Sequence, residues 1–308
     1  MGRLALLFPG QGSRFVGMGR SLFESSAAAR AVFEEADDAL GFALSRLCFE
    51  GPEEDLKSTA NTQPAILTHS VAALAELTAG APGRLDGAAF AAGHSLGEYS
   101  ACVAAGVLSF TDAVRLVRRR GEFMQEAVPA GIGAMAAIVG LAPEEVEAAC
   151  REAAPAGVEG EIVVVANSNS PEQTVIAGHA AAVGRASAIA LARGAKRAIA
   201  LPVSAPFHSP LMEPARQRMA PLLEATSFSD ARIPVVTNVD AAAETEGPRL
   251  REALVRQVDS PVRWVESVRL LAREGVDRGL EIGPGNVLAG LVRRIERGIR
   301  VESWGGPA

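Results

Sequence analysis

The chain has 308 residues, 48% of them hydrophobic and 21% charged, enough to bury a sizeable core. Its formal net charge of −6 argues against a nucleic-acid binder, and no run of about 18 apolar residues offers a membrane span. Three dispersed cysteines, Cys48, Cys102 and Cys150, form neither a CxxC pair nor a metal spacing, so a reduced cytoplasmic chain without a metal is expected.

Leu4 to Phe8 is a short apolar run stopped by Pro9-Gly10, which predicts a buried strand. It begins without a long apolar leader, so no secretory signal is expected. The loop Pro9-Gly10-Gln11-Gly12-Ser13 fails as a phosphate cradle. A dinucleotide fingerprint would need glycine where Phe15 stands, and a Walker loop would need Lys-Ser/Thr where Met18-Gly19 stands. What it offers is Gln11 and backbone N–H groups. Ala27 to Leu47 has helical periodicity, and Asp55 to Thr62 reads as a polar connector. Gln63-Pro64-Ala65-Ile66 opens a helix that runs to about Leu77, followed by a loop over 80–87.

Gly87 to Ala92 is small and apolar, consistent with a buried strand, and Tyr99 to Ala105 reads as a buried helix closed by Gly106. Between them lies Gly93-x-Ser95-x-Gly97, the nucleophile-elbow pattern in its strand–turn–helix context. A sharp turn there lifts the serine hydroxyl clear of both elements, and side chains at 93 and 97 would clash, hence the glycines. The turn also aims the Leu96 N–H, at a helix N-terminus, towards a developing oxyanion.

Thr111 is expected to cap a helix, with Asp112 in its first turn, running towards Val128. Its arginines Arg118, Arg119 and Arg120 point about 100° apart, so at most one or two share a site. From Gly131 the order is β-α-β-β-α-β: Ala134–Gly140, Pro143–Cys150, Glu161–Asn167, Gln173–Ala177, Ala180–Ala192 and Arg197–Leu201. That is the ferredoxin-like motif, and it reads as an inserted subdomain over 131–202. Residues 1–130 and 203–308 then form one large domain. After the loop Pro202–Ser209 come a helix (Pro210–Ala225), a strand (Ile233–Thr237), two helices (Leu250–Val258 and Val262–Glu274), a strand (Gly279–Ile282) and a helix (Val287–Arg294). Strands alternating with helices predict an α/β fold with a mostly parallel, helix-covered sheet.

A serine nucleophile needs a base, and four histidines are available. His94 adjoins the nucleophile but points away along the elbow. His69 lies on a predicted helix and is expected to be packed. His179 caps or begins a helix. His208 sits in a proline-bounded loop, where functional residues concentrate, and is the expected base. No loop-borne aspartate between Ser95 and His208 stands out, so the group orienting the imidazole is either a backbone carbonyl or an amide.

Phe8-Pro9-Gly10-Gln11-Gly12, Gly93-His94-Ser95-Leu96-Gly97-Glu98, Arg120-Gly121 with Met124-Gln125, Asn167 with Ser170-Pro171, Val175-Ile176-Ala177-Gly178, Phe207-His208, Gln257 before Pro261-Val262-Arg263-Trp264, and Glu281-Ile282-Gly283-Pro284-Gly285 occur in this order. The set covers essentially the whole chain. It resembles the malonyl-CoA:acyl carrier protein transacylase family of bacterial fatty acid synthesis and, more distantly, polyketide acyltransferase domains. The resemblance implies an α/β-hydrolase-like core carrying the ferredoxin-like subdomain, with the site in the cleft between. It implies Ser95 as the nucleophile that takes the malonyl ester, His208 as base and then acid, and the backbone carbonyl of Gln257 as the imidazole's acceptor. Gln11 and Leu96 would form the oxyanion hole, and Arg120 would bind the malonyl carboxylate. Gln63, His94, Asn167 and Phe207 would line the substrate. Stand-alone members commonly have serine where Phe207 stands; phenylalanine there resembles malonyl-selective polyketide enzymes. No cofactor is implied. The implied partners are malonyl-CoA and an acidic acyl carrier protein, and the chain is expected to act as a monomer. A thioesterase of the same elbow class and a non-catalytic carrier-binding subunit are the competing readings.

Overall fold

The structure, a computed structural model, describes residues 2–129, 131–154, 160–203 and 205–305. Ala130, which ends the first expected segment of the large domain, lies outside them, as do Ser204 of the loop before His208 and the last residues, 306–308. The strands are β1 (Arg3–Phe8), β2 (Ala88–Gly93), β3 (Gly133–Val139), β4 (Val163–Ser170), β5 (Gln173–His179), β6 (Arg197–Ala200), β7 (Val235–Val236), β8 (Ala243–Glu244), β9 (Val276–Ile282) and β10 (Arg300–Trp304). They form a six-stranded sheet in the order β10-β9-β1-β2-β7-β8 and a four-stranded sheet in the order β4-β5-β3-β6. The first is parallel apart from its edge strand β8, and the second is antiparallel throughout. This is a mixed α/β fold with a parallel-rich sheet and a separate antiparallel one.

The side-chain period of two decides where the cores lie. In β1, Leu4, Leu6 and Phe8 enter the main cluster, while Ala5 and Leu7 enter a second cluster on the other face. The central strand is therefore buried on both faces, which is why it reads as an unbroken apolar run. In β3, Ala136 and Ile138 face a cluster internal to the second unit, but Met135 and Ala137 join the main cluster. One face of the antiparallel sheet is thus part of the main core.

Several elements differ from the expectations. The supposed connector at Asp55–Thr62 is helical: a short helix over Glu53–Lys57, then a helix over Thr59–Gly80. Pro64 lies inside that long helix and does not open it. A proline there leaves the carbonyl of Ala60 without its amide donor, and Arg118 Nη1 donates to that carbonyl at 3.0 Å. The helix Phe110–Glu126 is capped by Ser109, not Thr111; Ser109 Oγ accepts from the Asp112 N–H at 3.0 Å. Ala27–Leu47 is two helices, Ala27–Leu40 and Leu44–Glu50, parted at Gly41, which has φ +73°. The edge strands β8 and β10 and the short helix Arg20–Ser25 had no sequence signal. No helix among the described residues is long and apolar enough to cross a membrane.

Candidate active site

Phe8 pairs with Gly93, and Ala92 with Val236, so β1, β2 and β7 end side by side. The loops leaving those carboxyl ends carry Gln11, Ser95 and Asn238. The carboxyl edge of a parallel sheet is where such folds place their sites.

The elbow is held by a steric lock and an amide staple. A Cβ on Gly93 would lie 2.0 Å from the Gly97 backbone, and one on Gly97 would lie 2.0 Å from the Phe8 carbonyl oxygen. Ser95 has φ +53°, a strained conformation for a residue with a side chain. Asn238 stabilises it from both sides. Its Oδ1 accepts from the Ser95 N–H at 2.7 Å, and its Nδ2 donates to the Gly93 carbonyl at 2.7 Å.

His208 also has a positive φ, +58°, in a loop tied by Ser209 Oγ donating to the Pro206 carbonyl at 2.6 Å. Its Nε2 lies 2.7 Å from Ser95 Oγ. Its Nδ1 lies 3.0 Å from the Gln257 carbonyl and 3.1 Å from the Ser260 carbonyl. Carbonyls only accept, so Nδ1 carries the proton and Nε2 is left as the acceptor for the serine hydroxyl. Burial, with the Arg120 charge adding to it, pushes the imidazole down to about 3. The orienting group is therefore a carbonyl, and there are two of them.

Of the three consecutive arginines, Arg119 is exposed and paired with Glu122, and Arg118 is half-buried against Glu122 and Asn61. Arg120 alone is fully buried. Its helix approaches Thr59–Gly80 so closely that a Cβ on Gly121 would lie 2.6 Å from the Thr59 carbonyl oxygen. That approach brings Arg120 Nη1 to Gln63 Oε1 at 2.8 Å. Arg120 Nη2 donates to Gln257 Oε1 at 2.9 Å and to Ser95 Oγ at 3.1 Å. The guanidinium thus sits beside the nucleophile, with the Tyr99 ring 5.7 Å away. Burial pushes the guanidinium down, and Tyr99 and Glu98 oppose that shift.

Glu98, in the first turn of the helix Gly97–Ala104, is also fully buried. Its Oε2 accepts from Gln257 Nε2 at 2.7 Å and from the Asn238 N–H at 3.1 Å. Burial pushes this carboxyl up to about 7.

The amide N–H groups of Gln11 and Leu96 meet no acceptor among the described residues. His94 is turned from the serine: its Nε2 meets Asn169 Oδ1 at 2.8 Å, and its ring lies 5.7 Å from that of Trp264. His69 is packed, its Nε2 bonded to the Gly305 carbonyl at 2.5 Å. His179 is the N-cap residue of the helix Ala180–Ala192, and its Nδ1 accepts from the Ile162 N–H at 2.9 Å. Phe207, beside the base, is buried in the main core. Asn167 is buried where β4 bridges Val262, outside the hydrogen-bond network around Ser95. Sequence reasoning missed Asn238, Asn169, Ser260 and the side-chain bonds of Gln257. Asn238 had a findable signal, since it directly follows the predicted strand Ile233–Thr237 at the carboxyl edge. No cluster with metal-ligand composition occurs among the described residues.

A family model described as "Acyl transferase domain" matches residues 5–302. The malonyl CoA-acyl carrier protein transacylase of Bacillus subtilis (strain 168) is 49% identical over 309 residues, covering 100% of this chain and 95% of that protein. The crystal structure of an acyl carrier protein S-malonyltransferase from Vibrio cholerae superposes with a TM-score of 0.94 at 46% identity, covering 99% and 97% of the two chains. A malonyl-transacylase solved in complex with its type II PKS acyl-carrier protein gives a TM-score of 0.93 at 46% identity, covering 99% and 96%.

Proposed function

The chain belongs to the acyl transferase domain family, and from that premise we propose that it transfers the malonyl group of malonyl-CoA to the phosphopantetheine thiol of acyl carrier protein. It does so through a malonyl ester on Ser95, supplying the extender unit for fatty acid synthesis. The observation that carries this reading is the fully buried Arg120 guanidinium hydrogen-bonded to the nucleophile itself. Only an acyl group with its own anion gains from that placement. A malonyl thioester has its carboxylate one methylene from the thioester carbonyl, and a planar guanidinium takes a carboxylate bidentately.

The steps follow from the geometry. Ser95 Oγ attacks the thioester carbonyl carbon as its proton passes to His208 Nε2. The carbonyl oxygen becomes an oxyanion facing the free N–H groups of Gln11 and Leu96. The imidazolium keeps its Nδ1 proton on the Gln257 and Ser260 carbonyls. Collapse breaks the C–S bond, and the Nε2 proton goes to the departing CoA sulfur. The carrier thiol then gives its proton to Nε2 and attacks the Ser95 ester, and the sequence runs in reverse.

We read the architecture as an α/β-hydrolase-like domain (1–130 and 203–308) carrying a ferredoxin-like subdomain (131–202). The sheet order β4-β5-β3-β6, antiparallel throughout, supports the second part. Gln63 and Phe207 would line the acyl pocket with His94 and Asn167. The enzyme acts as a cytoplasmic monomer without a cofactor. The test is intact-protein mass spectrometry after brief exposure to malonyl-CoA, followed by addition of carrier protein. A malonyl adduct should appear, be absent in Ser95→Ala, and move to the carrier. An adduct that persists in Ser95→Ala, or that decays to free malonate in the presence of carrier, overturns the proposal.

A further inference from the structure

Arg120 is a buried cation whose three hydrogen bonds among the described residues all go to uncharged groups: Gln63, Gln257 and Ser95. A charge taken out of water needs a counter-charge nearby. Glu98 stands one amide away. Gln257 presents its oxygen to Arg120 at 2.9 Å and its nitrogen to Glu98 at 2.7 Å, so its amide dipole lies along the line from cation to anion. The same nitrogen donates to the Ser95 carbonyl at 2.8 Å. Glu98 thereby fixes which way the Gln257 amide faces, and its second contact, the Asn238 N–H, reaches the residue that staples the elbow.

We propose that Glu98 is the resident counter-charge of Arg120, relayed through Gln257, and that seating an acyl carboxylate on Arg120 drives a proton from solvent onto Glu98. This rests on the reading that Arg120 receives the acyl carboxylate. Before binding, at a pH where Glu98 is ionised, guanidinium and Glu98 carboxylate sum to zero. The acyl carboxylate contacts the guanidinium directly and brings a second negative charge into the same water-poor volume. Glu98, held at one remove, is the weaker partner and is the group that neutralises. Its Oε1 already meets no donor among the described residues, so the ion is only half solvated by the protein. The other groups facing Glu98 give it little support. Tyr99 and Cys102 on its own helix are buried, and burial pushes both up, so they stay neutral. Asp240, after β7, raises Glu98; Arg256 on the helix Gly247–Gln257 also faces Glu98 but is paired with Asp240 at 2.6 Å. Burial pushes the Glu98 carboxyl up to about 7, so a modest added negative potential is enough. When the acyl group leaves on the carrier, the proton returns to solvent. Glu98 is a positioning residue in this scheme: it touches neither substrate nor reacting atoms.

The experiment is the ratio of kcat/KM for malonyl-CoA to that for acetyl-CoA between pH 6 and 9. Taking the ratio cancels titration of the shared CoA phosphates and of His208. In the wild type the ratio should fall with rising pH, approaching tenfold per pH unit above the midpoint, as one linked proton requires. In Glu98→Gln the ratio should be flat, whatever the absolute rate. A second measurement needs no variant. Calorimetric binding of malonyl-CoA to Ser95→Ala in two buffers of different ionisation enthalpy should show uptake of part of a proton near pH 7.5, and acetyl-CoA none. A pH-independent ratio in the wild type, or an unchanged slope in Glu98→Gln, overturns the proposal, as does a titration without proton uptake. If instead malonyl transfer itself is absent or indifferent to Arg120, the reading of the acyl site has failed and not the linkage.

Discussion

At the scale of single residues, the proposed function makes Arg120 the group that decides acyl choice. Arg120→Ala would leave a malonyl carboxylate desolvated and unpaired, a loss of about 2–5 kcal/mol for truncating one partner of a buried charge pair. Malonyl transfer should then fall roughly 30-fold to several thousand-fold, at about 1.4 kcal/mol per tenfold. Acetyl transfer has no such contact to lose. The charge that helps push His208 down is also removed, so the base strengthens and acetyl transfer should hold or rise. Measured kcat/KM values for the two thioesters check this, and an equal fall in both would make Arg120 structural. In the same proposal Phe207 acts sterically. Phe207→Ser should improve methylmalonyl use by relieving crowding at the acyl α-carbon while leaving malonyl kcat/KM within a few-fold. Because Phe207 is buried in the main core, the same change should cost about 3–5 kcal/mol of stability. Unchanged methylmalonyl use would remove Phe207 from the acyl pocket. Ser95, His208 and Arg120 were legible because glycine spacing, a loop-borne histidine and motif order each signal chemistry. Asn238, Asn169 and the Gln257 side chain were not, because a neutral amide carries no titratable signature and acts only through geometry. Glu98 was in view within the motif, but its burial, which gives it meaning, is a tertiary property.

At the scale of elements, close backbone approach governs the site. A Cβ on Gly97 would lie 2.0 Å from the Phe8 carbonyl oxygen, backbone against backbone, whereas one on Gly12 would meet nothing within 4 Å. Gly97→Ala should therefore cost about 3 kcal/mol or more and abolish acylation, and Gly12→Ala should leave stability within about 0.5 kcal/mol of wild type. Urea unfolding of the pair side by side tests this, and equal midpoints would refute the steric account. The sequence predicted β1, β3, β5 and the helix Ala180–Ala192 well, because apolar runs and glycine stops mark them. It failed at Pro64, where a breaker sits inside a helix. The freed Ala60 carbonyl takes its donor from Arg118, 58 positions later, and no local rule contains that bond. It failed at β10 for the opposite reason. An edge strand with exposed Arg300, Glu302 and Ser303 has no apolar alternation to read.

At the scale of the whole molecule, the segment read as an inserted subdomain shares side chains with the main core. Met135 and Ala137 reach the main cluster while their neighbours face inwards, and only the partner surface tells the two faces apart. The buried titratable groups also act on the whole, through the pH dependence of folding. Burial pushes His69 down to about 4 and His208 down to about 3, and it lowers His94 as well. Each binds a proton less readily folded than unfolded, where the ordinary value is about 6.5. Their contribution to stability is therefore complete above about pH 6.5 and is lost as pH falls below it, by about 1.4 kcal/mol per pH unit for each of His69 and His208. Glu98 runs the other way. Its folded value of about 7 lies above its unfolded one, so its burial penalty is relieved as pH falls. Glu281, also raised by burial, joins Glu98 in offsetting part of the histidine effect between about pH 6.5 and 4.5; Asp240 and Glu266, lowered by their arginine partners, add to it, and the fold should weaken with acid. His69 offers the clean test, being bonded to the Gly305 carbonyl and outside the hydrogen-bond network around Ser95. In His69→Gln the side-chain amide can still donate to that carbonyl but takes up no proton. The slope of unfolding free energy against pH between 6.5 and 4.5 should drop by about 1.4 kcal/mol per unit relative to wild type. Urea denaturation at four or five pH values measures it. Parallel curves for the two proteins would mean that His69 titrates normally and that the acid sensitivity comes from elsewhere.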